Sequence, residues 1–146
     1  IIFRSAMQTP PADTEIYIID TLGELGLFYR LSETAVIGRT LSNDGGGGHN
    51  PIEAAQLGCA TLHGPLYQNQ KDIFDDMHKH EATVLCRDKD ALYDEVLKLF
   101  SEPDYMEHMQ DKALAYTQSK TAILDSAYDE ILKILPKTIF SVKATS

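Results

Sequence analysis

Five short apolar runs punctuate the first hundred residues, at 1–4, 15–19, 34–38, 59–63 and 82–86. The run at 15–19 is β-rich and almost continuously apolar, as expected of a parallel strand buried on both faces. Between the runs, apolar residues recur every three or four positions, which predicts helices over 20–31, 51–57, 69–80 and 88–100. Thr21 and Glu24 have capping-box spacing at the start of the first helix. In the last, Asp88 stands at the start, and Leu92, Val96, Leu97 and Phe100 are assigned to one face. Strand and helix alternate with connections of a few residues. This predicts an α/β fold, a Rossmann-like parallel sheet with flanking helices. In such sheets ligands bind beyond the C-terminal ends of the strands. The loops at 20–24, 38–50 and 63–69 therefore share one rim.

Beyond residue 103 the pattern changes. Residues 104–135 contain neither Gly nor Pro, and Met106, Met109, Ala113, Tyr116, Ile123, Ala127, Ile131 and Ile134 fall mostly three or four apart. That spacing predicts one long amphipathic C-terminal helix, or two with a break near Ser119. It either packs on its own domain or crosses to a second. Pro136 is expected to end it, which divides the chain into a Rossmann-like domain at 1–103, a helical segment at 104–136 and a frayed tail at 137–146.

The most unusual stretch is Gly45-Gly46-Gly47-Gly48-His49-Asn50-Pro51-Ile52-Glu53. It leads from a strand into a helix, where backbone N–H groups can approach a ligand closely and the helix end adds roughly half a positive charge. That suits a phosphate or a carboxylate. Four glycines also resist ordering, so a mobile loop is the competing expectation.

Composition narrows the classes. The net charge of −9 argues against nucleic acid, which needs clustered Lys and Arg. No apolar run reaches the ~18 residues of a membrane span. Cys59 and Cys86 lie in apolar stretches without CxxC spacing and read as core residues of a reduced, cytosolic protein. His78 and His80 point to different faces of a helix, so no metal site is expected there. Asp75-Asp76 reads as a solvated helix face. The first residue is not Met, and it is not expected to be the natural start.

The blocks Asp20-Thr21-Leu22-Gly23-Glu24-Leu25-Gly26, Val36-Ile37-Gly38, Gly47-Gly48-His49-Asn50-Pro51-Ile52-Glu53 and Gly64-Pro65 with Asn69 resemble the 3-deoxy-D-manno-octulosonic acid (Kdo) transferases. The resemblance covers residues 3 to 100 well and the tail loosely. It implies the C-terminal, sugar-nucleotide-binding half of a GT-B glycosyltransferase, truncated at its N-terminus. The family pattern has Gly and Ser after Gly38, where Arg39 and Thr40 stand here. Its glycine loop is about two residues shorter, and it has Pro where Ala54 stands.

For each candidate residue a structural and a functional reading stand side by side. Asn50, Pro51 and Glu53 form a helix-start device as N-cap, N1 and N3. The resemblance instead gives Glu53 the two ribose hydroxyls of a nucleotide, since a carboxylate offers two oxygens to a vicinal diol. It turns the N–H groups of Gly48, His49 and Asn50 toward a phosphate or sugar carboxylate and places Gly23, Glu24 and Gly47 at the cleft. Asn69 either caps its helix or meets the ligand. The implied donor is CMP-Kdo and the implied acceptor a lipid A precursor, in lipopolysaccharide synthesis at the cytoplasmic face of the bacterial inner membrane. The acceptor site, the catalytic carboxylate and the membrane contact belong to the family's N-terminal half, so no catalytic residue is assigned here and the fragment alone is expected to be soluble and inactive. The resemblance implies no metal and no cofactor, and the chain is read as carrying no Asp-x-Asp type metal clamp. Another GT-B enzyme using a UDP-sugar, or a non-catalytic nucleotide-binding module, are the alternatives. Finally, the strand at 1–4 is expected either to pair directly beside 15–19 or to leave an edge that a second copy covers as a dimer.

Overall fold

The structure is a computed structural model that describes residues 1–7 and 9–134. The expected helix stop at Pro136 and the tail at 137–146 lie outside the described residues. In chain order the elements are β1 (Ile2–Phe3), β2 (Tyr17–Ile18), α1 (Leu25–Leu31), β3 (Thr34–Val36), α2 (Ile52–Gln56) and β4 (Ala60–His63). A 3-10 turn over Gln68–Gln70 then leads into α3 (Lys71–Lys79), followed by β5 (Val84–Leu85), α4 (Lys89–Ser101) and α5 (Pro103–Ile134).

All strand pairs are parallel, but they form two sheets rather than one: β1–β2 and β3–β4–β5. Ile2 stands opposite Tyr17 and Phe3 opposite Ile18, so the N-terminal strand does pair directly beside the next one. In the larger sheet β4 is central, with Leu62 opposite both Val36 and Val84. The strands are shorter than the apolar runs that announce them. A ladder extends only where a neighbouring backbone meets it, and sequence does not reveal that register.

β4 organises the core, and all four of its residues are buried. Alternate side chains point to opposite faces. Ala60 and Leu62 pack with Cys86, Leu99, Met106 and Met109 beneath α4 and α5. His63 faces the other side, with its ring centroid 4.1 Å from that of Phe74 on α3. Cys59 and Cys86 are buried free thiols, as their apolar surroundings suggested.

One helix differs from expectation, and another decides between two alternatives. On α4 the inward positions are Leu92, Val96 and Leu99, whereas Leu97 and Phe100 face out. The spacing i, i+4, i+7 selects one stripe, and a residue one place further on is rotated by ~100°. α5 is a single helix without a break at Ser119. The Ser119 and Thr121 hydroxyls donate back to the Tyr116 and Thr117 carbonyls at 2.7 and 3.2 Å, staying within the helical turn. Its first half buries Met106, Met109, Ala113 and Tyr116 on the domain, while Ile123, Leu124, Tyr128 and Ile131 are exposed.

Asp76 corrects another expectation. Its carboxylate accepts from Tyr116 Oη at 2.9 Å and pairs with Lys120 Nζ at 2.6 Å, so it joins α3 to α5 rather than lying free in solvent.

Candidate functional site

The rim expected at the C-terminal ends of the strands is built largely by one hydroxyl. Thr40 is fully buried. Its Oγ1 donates to the Ile37 carbonyl at 2.6 Å and accepts from the Gly64 N–H at 2.8 Å. The Thr40 carbonyl accepts from Leu66 N–H at 2.9 Å. This knits the 38–50 loop to the 63–69 loop. Gly64 is required by close approach, because a Cβ there would lie 2.2 Å from the Thr40 carbonyl oxygen. The reading of the sequence noted Thr40 only as a departure from the family pattern. Its signal was a hydroxyl in a loop that follows an apolar strand.

Asn69 completes the knot. Its backbone N–H donates to Gly47 O at 2.9 Å and its Nδ2 to Gly46 O at 2.7 Å. It therefore caps no helix; it pins the glycine loop. Gly47 has φ of +63°, and a Cβ on it would strike the Asn69 amide at 2.6 Å, so glycine is needed there. The loop is closed from within as well. Gly48 N–H donates to Arg39 O at 3.1 Å, and His49 N–H to Gly38 O at 3.2 Å. These two donors, expected to face an anion, are engaged by the chain's own carbonyls. The N–H groups of Gly47 and Asn50 have no acceptor among the described residues.

Asn50 Oδ1 accepts from Ile52 N–H at 2.9 Å, a turn just ahead of α2, whose N-cap is Pro51 and not the expected Asn50. Glu53 follows in the first turn and is exposed. Among the described residues its carboxylate makes no hydrogen bond or ion pair. Its Oε1 lies 3.4 Å from the position a Cβ would take on Gly26, so the carboxylate stands beside the first turn of α1. His49 is exposed, and its ring edge lies over Gly38. The structure thus brings Gly47, Gly48, His49, Asn50 and Glu53 to one place, with α1 as the facing wall.

Glu24 reaches that wall differently from expectation. α1 starts only at Leu25, and Glu24 precedes it without capping it. The Glu24 carboxylate accepts from Arg4 Nη2 at 2.5 Å and from Arg4 Nε at 3.1 and 3.2 Å, as well as from the Thr21 hydroxyl. The Arg4 hydrogen bonds, seconded by Thr21, hold the Glu24 carboxyl at about 2. Asp20 is likewise drawn away, accepting from Ser5 N–H and Oγ at 2.9 and 2.5 Å. Both groups that would have started the helix at 20 are engaged by the segment after β1. Gly23 is exposed at the turn between them.

Beneath the rim lies a pair that sequence reading missed. His63 Nε2 and His78 Nε2 are 2.8 Å apart, while His63 Nδ1 is 2.8 Å from Gly64 O. The carbonyl can only accept, so the His63 proton sits on Nδ1. Nε2 of His63 then accepts from Nε2–H of His78. Burial holds the His63 imidazole down at about 4, with a smaller push from His78. The pair is therefore neutral at pH 7. It joins β4 to α3 and carries the rim, and residues fifteen apart on different elements leave no local signal of it.

The sequence does contain an Asp-x-Asp spacing, Asp88-Lys89-Asp90, contrary to the expectation stated above. Asp88 Oδ1 accepts from the N–H groups of Asp90 and Ala91 at 3.0 and 2.8 Å, which makes it the cap of α4. Among the described residues no three His, Cys, Asp or Glu side chains converge on a common point. No helix among them is long and apolar enough to cross a membrane.

No protein-family model matches the chain. Curated relatives do. A 3-deoxy-D-manno-octulosonic acid transferase of Rickettsia felis is 28% identical over 134 residues, covering 90% of this chain and 28% of the relative. One of Bordetella pertussis is 31% identical over 115 residues, covering 78% and 26%. The chain thus spans under a third of the length of these relatives. Among solved structures, the C-terminal CMP-Kdo binding domain of WaaA from Acinetobacter baumannii is similar, with a TM-score of 0.71 and 34% identity. That match covers 77% of this chain and 58% of the other. The chain belongs to the 3-deoxy-D-manno-octulosonic acid transferase family.

Proposed function

We propose that this chain holds the donor, CMP-Kdo, for a transferase whose remaining parts supply the acceptor site and the base. The observation that carries the reading is the likeness, in both backbone and sequence, to a domain described as binding CMP-Kdo. In this reading residues 1–103 form the donor-binding body and 104–136 a helical segment attached to it. The Glu53 carboxylate, exposed and without a partner among the described residues, accepts from both ribose hydroxyls. The N–H groups of Gly47 and Asn50, with the His49 ring, face the phosphate or the sugar carboxylate. Gly23 and Glu24 border the same cleft, Glu24 being held in its charged form by Arg4.

The whole enzyme moves Kdo to a lipid A precursor at the inner face of the bacterial inner membrane. The acceptor oxygen bonds to the anomeric carbon while the bond from that carbon to the phosphate oxygen breaks. CMP leaves with the electron pair. A phosphate oxygen is a good leaving group, and backbone N–H donors are suited to the charge that grows on it. A carboxylate outside this chain takes the acceptor proton.

Binding of CMP to the full chain tests the reading. Chemical-shift mapping is expected to move residues 47–50 and 53. Glu53→Gln is expected to weaken CMP by about 1.5–3 kcal/mol, the range for a hydrogen bond to a charged group. UMP is expected to bind less well than CMP. Unmoved loops, or an unchanged affinity in Glu53→Gln, would refute the site.

A further inference from the structure

The rim is acidic, yet its proposed ligand is an anion. The loops at 20–24, 38–50 and 63–69 contain Asp20, Glu24 and Asp44 and a single Lys or Arg, Arg39. The chain as a whole carries −9. A phosphate approaching this rim meets net repulsion unless a cation stands at the point of contact.

Arg39 is placed for that contact. It adopts a left-handed backbone conformation with φ of +59°, which a side chain other than Gly or Asn rarely takes. In that conformation its carbonyl closes the loop onto Gly48, and its side chain lies along the outside of the same loop. The guanidinium rests on Gly46, where a Cβ would fall 2.0 Å from Arg39 Nε. Two features therefore accommodate this one side chain, a positive φ at Arg39 and the missing side chain at Gly46.

The guanidinium is only lightly held. Arg39 Nε donates to Asp44 Oδ2 at 3.3 Å, with both side chains about half exposed. Among the described residues no other acceptor engages it, so the fork of remaining N–H donors is available. Asp44 does not depend on this contact, since its Oδ1 accepts from the Gly46 N–H at 2.8 Å. Arg39 can leave Asp44 without stranding it. Arg4, by contrast, is locked to Glu24 by three short contacts.

We propose that Arg39 is a donor-binding residue of this chain: its guanidinium takes the nucleotide phosphate, exchanging Asp44 for it. The proposal rests on the donor reading above. It also gives a physical reason for an arginine at a position where the family pattern has glycine, at the foot of a loop longer than the family's.

The test compares cytidine, CMP and CMP-Kdo on the full chain and on Arg39→Asn and Asp44→Asn. Asparagine tolerates the left-handed conformation, so Arg39→Asn removes the charge while sparing the loop. CMP affinity is expected to fall about tenfold in Arg39→Asn, the usual scale for a charge-assisted pair, with cytidine affinity unchanged. In Asp44→Asn, CMP is expected to bind more tightly because the competing carboxylate is gone. Equal losses for cytidine and CMP would mean that Arg39 only shapes the loop, and would overturn the proposal. So would unchanged CMP affinity in Arg39→Asn. A loss confined to CMP-Kdo would move the guanidinium to the sugar carboxylate and overturn the phosphate assignment. A parent chain that binds neither cytidine nor CMP would instead sink the donor reading itself.

Discussion

Among the described residues before β3, none is buried, whereas every residue of β4 is. Both regions repeat the same strand–helix unit, and both have regular parallel pairing. They differ in the second layer. β4 has a strand on either side, α4 and α5 over one face and α3 over the other. The pair β1–β2 has α1 and little else, leaving Ile1, Leu22 and Leu31 at 78, 100 and 73% exposure. Backbone pairing and side-chain pattern are enough to shape an element. Only a second layer turns its apolar side chains into stability. The N-terminal unit is accordingly fastened by polar contacts, Arg4 to Glu24 and Ser5 to Asp20, instead of by packing.

The contrast can be broken in order of expected effect. Phe74→Ala empties a fully buried site under the sheet and is expected to lower unfolding stability by about 3–5 kcal/mol. Ile18→Ala, on the half-covered strand, is expected to stay below about 1 kcal/mol. Chemical denaturation of the two variants measures the difference, and similar losses would show that the N-terminal unit is packed as tightly as the core. Gly64→Ala forces a Cβ against the Thr40 carbonyl and is expected to cost roughly 1–3 kcal/mol as overpacking. Hydrogen exchange should then report loosening at Leu66, whose N–H bonds that carbonyl, and leave Ile2 and Arg4 unaffected.

Acid separates the regions last. Burial lowers the His63 imidazole from 6.5 to about 4. The unfolded chain therefore binds more protons in between, and the stability His63 confers is complete above pH 6.5 and declines as the pH falls toward 4. Glu24 is lowered from 4.5 to about 2 by its hydrogen bonds to Arg4, then to Thr21. Its contribution is present above 4.5 and is lost only between 4.5 and 2. A His63→Gln variant should flatten the decline above pH 4.5, whereas Glu24→Gln should lower stability above pH 4.5 and flatten only the decline below it. A decline above pH 4.5 that survives in His63→Gln would contradict the assignment to this pair.

Much of this architecture is legible from periodicity. The order of strands and helices, the Asp88 cap, the helical character of α5 and the apolar settings of Cys59 and Cys86 follow from residues within a turn or two of each other. Local backbone preference and one-sided hydrophobicity act at that range. The glycine loop and its junction with α2 were visible for the same reason.

Tertiary structure decided everything that needed a distant partner. It divided the sheet in two, because a ladder exists only where another backbone arrives. It recruited Glu24 to Arg4, twenty residues upstream, and so delayed α1 until Leu25. It also turned Asp76 from solvent to Lys120 and paired His63 with His78. In the glycine loop it engaged two N–H donors internally and left Glu53 open to solvent. The sequence by itself determined which residues stand at the rim, since motif spacing carries them there. Which of their polar groups stay available was set by the fold, because a buried donor or acceptor bonds whatever partner packing brings within reach.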